Sequence, residues 1–214
     1  GQADVLLVHE PDAEVSFVEK GYGVERRLVM HNDFIIVGPD ADPATVRTAK
    51  NANEAFRRIA GTQSPFVSRG DNSVVDRLET FIWNRTKIKP SGAWYFESGR
   101  EMVDTLAEAS QRSAYTLTDR ATFLIQKPIA ALNLVILSEG DPKLMNYYHI
   151  IVVSPEKFPE LNVAGAKAFS EYLVSPDAQK IIAEYRVEGL GQPTFFADGD
   201  KTDAELGLPE ADFE

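Results

Sequence analysis

The sequence contains no cysteine, which excludes a disulfide framework, a zinc ribbon and a thiol nucleophile together. Histidine is almost as scarce: His9, His31 and His149 are the only ones, none at the i, i+4 spacing of a helical metal site, so His9 reads as a core or cleft-rim histidine. No apolar run approaches the roughly 20 residues needed to span a bilayer, which argues against membrane insertion. Lys and Arg total 22 against 33 Asp and Glu, a net charge of -11, and this deficit of basic residues argues against nucleic acid and anionic membranes as partners. There is no internal repeat, no glycine-rich phosphate loop and no dinucleotide fingerprint. A hydrolase assembled from Ser68 or Ser73, His9 and an aspartate lacks the Gly-x-Ser-x-Gly elbow. Arg69-Gly70-Asp71 spells a cell-adhesion tripeptide, yet it falls in a strand-to-helix turn and not at a free loop tip. The sequon Asn84-Arg85-Thr86 has meaning only in a secreting eukaryote.

What the chain does have is 43% hydrophobic residues over 214 positions, enough for one large core or two small ones. An apolar strand at 5–8 precedes a helix that starts near Pro11, turns Val15, Phe17 and Val18 inward and stops at Gly21 or Gly23. A second apolar strand at 34–37 is ended by Gly38-Pro39, and a helix over 53–60 faces inward through Phe56 and Ile59. Strands are expected at 65–67, 93–96, 114–117, 132–137 and 147–153, and a helix with Met102, Val103, Leu106 and Ala107 or Ala109 on its inner stripe. The last third reads as helical, 163–174 and then a helix capped by Ser175 with Pro176 first, ended by Gly189 and Gly191. The acidic stretch from Asp198 onward reads as a mobile tail. Alternating strands and helices predict an α/β fold with a mostly parallel sheet. The two proline-terminated strands read as crossings between two lobes, with a ligand in the cleft between them.

The most informative stretch runs from Ser68 to Asp76, where an apolar strand turns into an amphipathic helix carrying Val75, Leu78, Phe81 and Ile82. Ser73 is placed as the N-cap and Asp76 as its capping-box acid. Arg69 therefore stands just ahead of a helix N-terminus, where a guanidinium, free backbone N–H groups and the positive end of the helix dipole together suit a small anion. The plainer reading is a capped helix whose arginine pairs with a nearby carboxylate.

Several runs carry a family likeness: 4-DVLLVH-9, Tyr22-Gly23-Val24 with Arg26-Arg27, 32-NDFIIVGP-39, 66-FVSRGD-71 and 114-AYTLTDR-120. Gly165-Ala166-Lys167-Ala168-Phe169, Ser175-Pro176 with Gln179-Lys180, and Gly191-Gln192-Pro193 follow in order. In this series the chain resembles, over nearly its whole length, the extracytoplasmic tungstate-binding proteins of ABC importers. The resemblance implies a two-lobed periplasmic-binding-protein type II fold of class α/β. It assigns residues 1–38 plus 147–197 to a first lobe, 39–146 to a second lobe and 198–214 to an acidic tail. It implies capture of a tetrahedral oxyanion, tungstate or molybdate, in the interlobe cleft, with no chemistry and no cofactor. The expected partners are that oxyanion and an ABC permease, and the expected setting is a monomer in the periplasm or outside the cell. Ligand contacts carried over by the resemblance are Arg69, Ser68, Ser98, Thr118 and Ser73, with Asp119 and Arg120 expected to pair with each other or with the backbone.

Three features depart from the family pattern. Members begin with a further βαβ unit bearing a Thr-Thr-Thr-Ser turn, so the first lobe is expected to be incomplete ahead of Gly1. Val74 and Val75 stand where the pattern has glycine and threonine, and Glu101 replaces a glycine after Arg100. A diverged relative that binds no anion and serves an interaction is therefore the alternative, with a hydrolytic enzyme third.

Overall fold

The computed structural model describes residues 2–186 and 192–210. In chain order the elements are β1 (Val5–Val8), α1 (Pro11–Glu19), β2 (Gly23–Gly38), α2 (Ala52–Thr62), β3 (Phe66–Ser68), α3 (Val74–Thr86), β4 (Tyr95–Glu97) and α4 (Met102–Arg112). They continue with β5 (Thr116–Asp119), α5 (Arg120–Ile129), β6 (Val135–Ser138), β7 (Met145–Val153), α6 (Val163–Leu173), α7 (Pro176–Glu184), β8 (Phe196–Ala197) and α8 (Asp203–Leu206). The chain divides into two compact units, one of residues 1–32 with 146–214 and the other Asp33–Met145. The division at Asn32 falls inside β2, ahead of the Pro39 stop, because the second half of that strand pairs with β5 and β6.

The sheets are largely antiparallel, against the expectation of a mostly parallel one. In the first unit β1 pairs antiparallel with β7, and β2 pairs antiparallel with β8 at Met30 and His31. In the second unit β2 runs antiparallel to both β5 and β6. Alternation of strands and helices cannot tell a helix that returns the chain for parallel pairing from one that leaves the next strand reversed. Among the described residues, β3 pairs parallel with β4, and a parallel bridge joins Phe66 to Tyr115 ahead of β5. That small parallel group carries the candidate site.

The first unit packs Val18, Leu28, Val29 and the run Ile150–Val153 into its core. Beside that core lies a buried ionic cluster. Arg26 donates from Nε to Glu14 at 3.0 Å and pairs with Asp203. His149, fully buried, lies 2.9 Å from Glu14 and 2.8 Å from Asp203. Burial alone would lower the His149 pKa, but hydrogen bonds that its ring donates to Asp203 and Glu14 outweigh burial and raise it. The expected mobile tail is therefore corrected: among the described residues, Asp198 is fully buried, 2.5 Å from His31 and 2.6 Å from Lys201, and α8 is closed by a capping box between Thr202 and Glu205. Asp198, Asp203 and Glu205 are anchors here, matched to a cation or a helix start. Helix α7 ends at Glu184, while Gly189, Gly191 and Gly1 lie outside the described residues.

The second unit is held by one apolar cluster that includes Ile35, Ile36, Phe56, Ile59, Phe66, Trp83, Leu106 and Tyr115. Two helices meet it along most of the expected stripe, each with one expected residue turned outward. Helix α3 buries Val75, Glu79, Ile82, Trp83 and Thr86 and leaves Phe81 47% exposed under Arg85. Helix α4 buries Met102, Thr105, Leu106 and Ala109 and leaves Val103 exposed. Arg120 does not pair with Asp119: its guanidinium takes Asp33 at 2.7 and 2.6 Å and Glu139 at 2.6 Å, while Asp119 caps α5 at the Thr122 N–H.

Gly38 shows how tight the core is. A Cβ there would sit 2.5 Å from Tyr115 Cδ1, and Tyr115 cannot retreat because its hydroxyl donates to Asp42 and accepts from the Ala44 N–H, both at 2.9 Å. Gly38→Ala is expected to cost about 1–3 kcal/mol of stability by overpacking, read as a lower urea midpoint at unchanged m-value. An unchanged midpoint would show that the ring has room to move.

Candidate functional site

Strands β3, β4 and β5 run the same way, so Ser68, Ser98 and Thr118 all lie at or just past carboxyl ends, the usual place for a ligand in open α/β sheets. The β3–β4 pairing continues into the turns. The Ser98 N–H donates to the Ser68 carbonyl at 2.9 Å and the Gly99 N–H to the Arg69 carbonyl at 2.8 Å. These bonds lock the Ser68–Arg69 backbone against the following turn.

The turn itself is built around two carboxylates. Gly70 and Asn72 take positive φ, 60° and 61°, which glycine adopts freely and asparagine tolerates. Their N–H groups both donate to Asp76, at 3.2 and 2.8 Å. Asp76 therefore does not close a capping box on Ser73, because the turn ahead of the helix consumes its carboxylate. Ser73 is the N-cap as expected, its hydroxyl accepting from the Asp76 N–H at 3.4 Å, and the Ser73 N–H donates to Asp71 at 3.1 Å. Burial raises the Asp71 pKa, but hydrogen bonds from Ser73 and Arg69 prevail and hold that carboxyl below its usual range.

Two polar atoms of this turn are left without a satisfied bond. Arg69 Nη2 reaches Asp71 at 2.5 Å, while Arg69 Nε is buried and makes no hydrogen bond. The Ser68 hydroxyl, on a residue only 1% exposed, forms none of full geometry either. A buried guanidinium N–H without an acceptor costs on the order of 1–3 kcal/mol or more. An acceptor brought to Arg69 Nε would recover that loss. The head of α3, a helix of 13 residues, adds its dipole to the same place.

The other candidates are placed as follows. Ser98 is joined to the turn, but its hydroxyl already meets the Arg69 carbonyl, Thr105 and the Arg100 N–H at 3.3, 2.8 and 3.2 Å. Thr118 is fully buried on β5, its hydroxyl at 3.2 Å from the Asp119 carbonyl. Val75 belongs to the apolar cluster, and Val74 is 36% exposed. Glu101 is exposed and occupies the N-cap position of α4 without a side-chain cap bond, so within this unit it does not point inward.

Beneath the turn lies a group the sequence reading passed over. Glu79 is 2% exposed and accepts from Trp83 Nε1 at 3.0 Å and from the Tyr95 hydroxyl at 2.9 Å. Burial drives its pKa up to about 7, while Ser68, Tyr95 and Trp83 favour the charged form. Ser68 is thus within reach of Glu79 even though no fully aligned bond joins them. The signal was available: a glutamate one turn after Val75 and four residues before Trp83 interrupts an inward helical face. Among the described residues no group of three or more His, Asp or Glu could hold a metal ion, and no helix is long and apolar enough to cross a membrane.

Comparison with known proteins gives consistent likenesses. Residues 1–177 match the family described as the PBP superfamily domain. The chain is 44% identical over 192 residues to a candidate ABC transporter anion-binding protein of Haloferax volcanii and spans 56% of that protein's length, little more than half. It is 43% identical over 197 residues to the tungstate-binding protein TupA of Peptoclostridium acidaminophilum, covering 91% of this chain and 68% of that one. The solved structure of the tungstate-binding protein TupA from Desulfovibrio alaskensis superposes with a TM-score of 0.84 at 37% identity, covering 91% of this chain and 78% of the other.

Proposed function

The chain belongs to the PBP superfamily, and from that premise we propose that it captures a tetrahedral oxyanion, tungstate or molybdate, at the Ser68–Arg69 turn for delivery to an ABC permease. The observation that carries this reading is that two donors of the turn ahead of α3, Arg69 Nε and the Ser68 hydroxyl, are both buried and unsatisfied. Relatives named for tungstate binding and for anion binding support it.

Arg69 supplies the charge and a rigid fork of donors. Ser68 supplies a hydroxyl. Ser73 and Ser98 serve by holding the turn, through the helix cap and through the Arg69 carbonyl. Thr118 provides a further hydroxyl that can turn from its own neighbour's carbonyl to a ligand. With a net charge of -11 the whole molecule repels anions, so capture depends on these short-range donors. No step of this function makes or breaks a covalent bond, and it requires no cofactor. The same reading places the protein outside the cytoplasm, as a monomer that meets its permease.

Calorimetric titration of tungstate and molybdate into the full-length protein carrying this sequence tests the proposal. A single saturable site is expected, and ligand at 100 times its Kd should raise the melting temperature by about 5–10 °C. Neither heat nor thermal protection from either oxyanion would overturn it.

A further inference from the structure

Glu79 has no counterpart role in the capture just described, yet it is a buried carboxyl directly under the proposed site. One of its oxygens receives two donors, Trp83 Nε1 and the Tyr95 hydroxyl. The neighbour left without a settled bond is the Ser68 hydroxyl, which lies within reach of both Glu79 and the Tyr95 hydroxyl and can rotate. We propose that Glu79 is a positioning residue that sets the direction in which Ser68 donates, so that oxyanion binding at the turn is coupled to proton uptake by Glu79. This inference rests on the oxyanion reading of the Ser68–Arg69 turn.

The mechanism follows from hydroxyl geometry. An ionised Glu79 can only accept, so it draws the Ser68 O–H inward and offers the anion an oxygen lone pair. A protonated Glu79 can itself donate to Ser68 Oγ, and the Ser68 O–H is then free to donate to the anion. The field acts in the same sense, since a carboxylate in a site of low polarity repels a second anion nearby. Binding therefore favours the protonated carboxyl, and affinity falls as pH rises through the Glu79 transition, which burial places at about 7.

The surroundings contain few other charges. Asp76, on the same helix, disfavours ionisation of Glu79 further. Tyr95 and Glu97 face from β4, the tyrosine held protonated by burial and by the Glu79 charge. Arg69 and Asp71 belong to the turn and pair with each other. Helix α2 and strand β5, also packed on α3, bury only apolar and hydroxyl side chains there: Ala55, Phe56 and Ile59 from one, Thr116, Leu117 and Thr118 from the other.

The test is calorimetry of tungstate with the full-length protein at pH 6 and pH 8, repeated near pH 7 in buffers of different ionisation enthalpy. Wild type should lose up to about tenfold in affinity between the two pH values and take up a fraction of a proton on binding. Glu79→Gln, in which an amide donor replaces the acid proton, should bind at both pH values with the affinity wild type shows at pH 6 and without proton uptake. Titration of the ligand and of every other group is common to both proteins, so the difference belongs to Glu79. Ser68→Ala should bind more weakly and show a shallower slope than wild type, the part that remains being the field of the Glu79 carboxylate. Tungstate binding by wild type without proton uptake, or an Ser68→Ala slope equal to that of wild type, would overturn the role of Glu79 and leave the oxyanion reading standing. No binding by wild type at either pH would overturn the oxyanion reading and this inference together.

Discussion

Arg69→Gln is expected to lower tungstate affinity at least about tenfold, because the charge-assisted hydrogen bond from Arg69 Nε, at roughly 1.5–3 kcal/mol, is lost. The substitution removes the charge and keeps a polar side chain of similar length, so the backbone of the turn has no reason to change. That backbone is held independently, by Asp76 at Gly70 and Asn72, by Asp71 at Ser73 and by the β4 turn at Ser68 and Arg69. The Arg69–Asp71 pair has side chains 16% and 22% exposed, and such a pair is worth about 0–1 kcal/mol. The melting temperature without ligand should therefore stay at or above that of wild type, since the substitution also removes a buried N–H that has no acceptor. Arg47→Gln, which removes an exposed partner of Asp40, should leave affinity unchanged. Equal tungstate affinity in Arg69→Gln and wild type would remove Arg69 from the site.

Arg26→Met is expected to cost the first unit about 3–5 kcal/mol, read by urea unfolding, because it strands two carboxylates in a buried cluster. Glu14 is 3% exposed and Asp203 is held below its usual pKa: burial would raise it, but His149 and Arg26 outweigh that. With Arg26 gone, His149 is, among the described residues, the cation left in contact with both. A histidine whose folded-state pKa is raised gives stability that is complete below its ordinary value of 6.5 and fades as pH climbs through the folded value. Removing a neighbouring cation raises that folded value further. The loss caused by Arg26→Met should accordingly be smaller at pH 6 than at pH 8. A loss below about 1 kcal/mol, or one independent of pH, would mean the cluster is solvated in solution.

The same cluster shows where sequence reading stops. The cap at Ser73, the strand at Phe66 and the position of Arg69 follow from local rules, since each depends on residues within one turn of itself. Helix starts at Pro11 and Pro176 follow for the same reason. Strand direction did not follow: whether β5 runs with β3 or against β2 is settled by distant chain crossings, and it does both. Residues past Asp198 looked solvated because their charge was counted without partners, and those partners, Arg26, His31 and His149, lie far away in sequence. Glu79 was missed by the opposite error. Its helical face was judged by its apolar members, and a single acid on that face is the kind of local conflict that marks a functional site.

The central claim is that the oxyanion sits against Arg69 Nε and the Ser68 hydroxyl at the head of α3. Tungsten scatters anomalously, so the most direct measurement is an anomalous difference map from crystals of the full-length protein grown with tungstate. One dominant peak is expected, with an oxyanion oxygen within hydrogen-bond distance of Arg69 Nε and another at Ser68 Oγ. A dominant peak bound by other residues, with Arg69 still paired to Asp71 and its Nε unsatisfied, would contradict that claim.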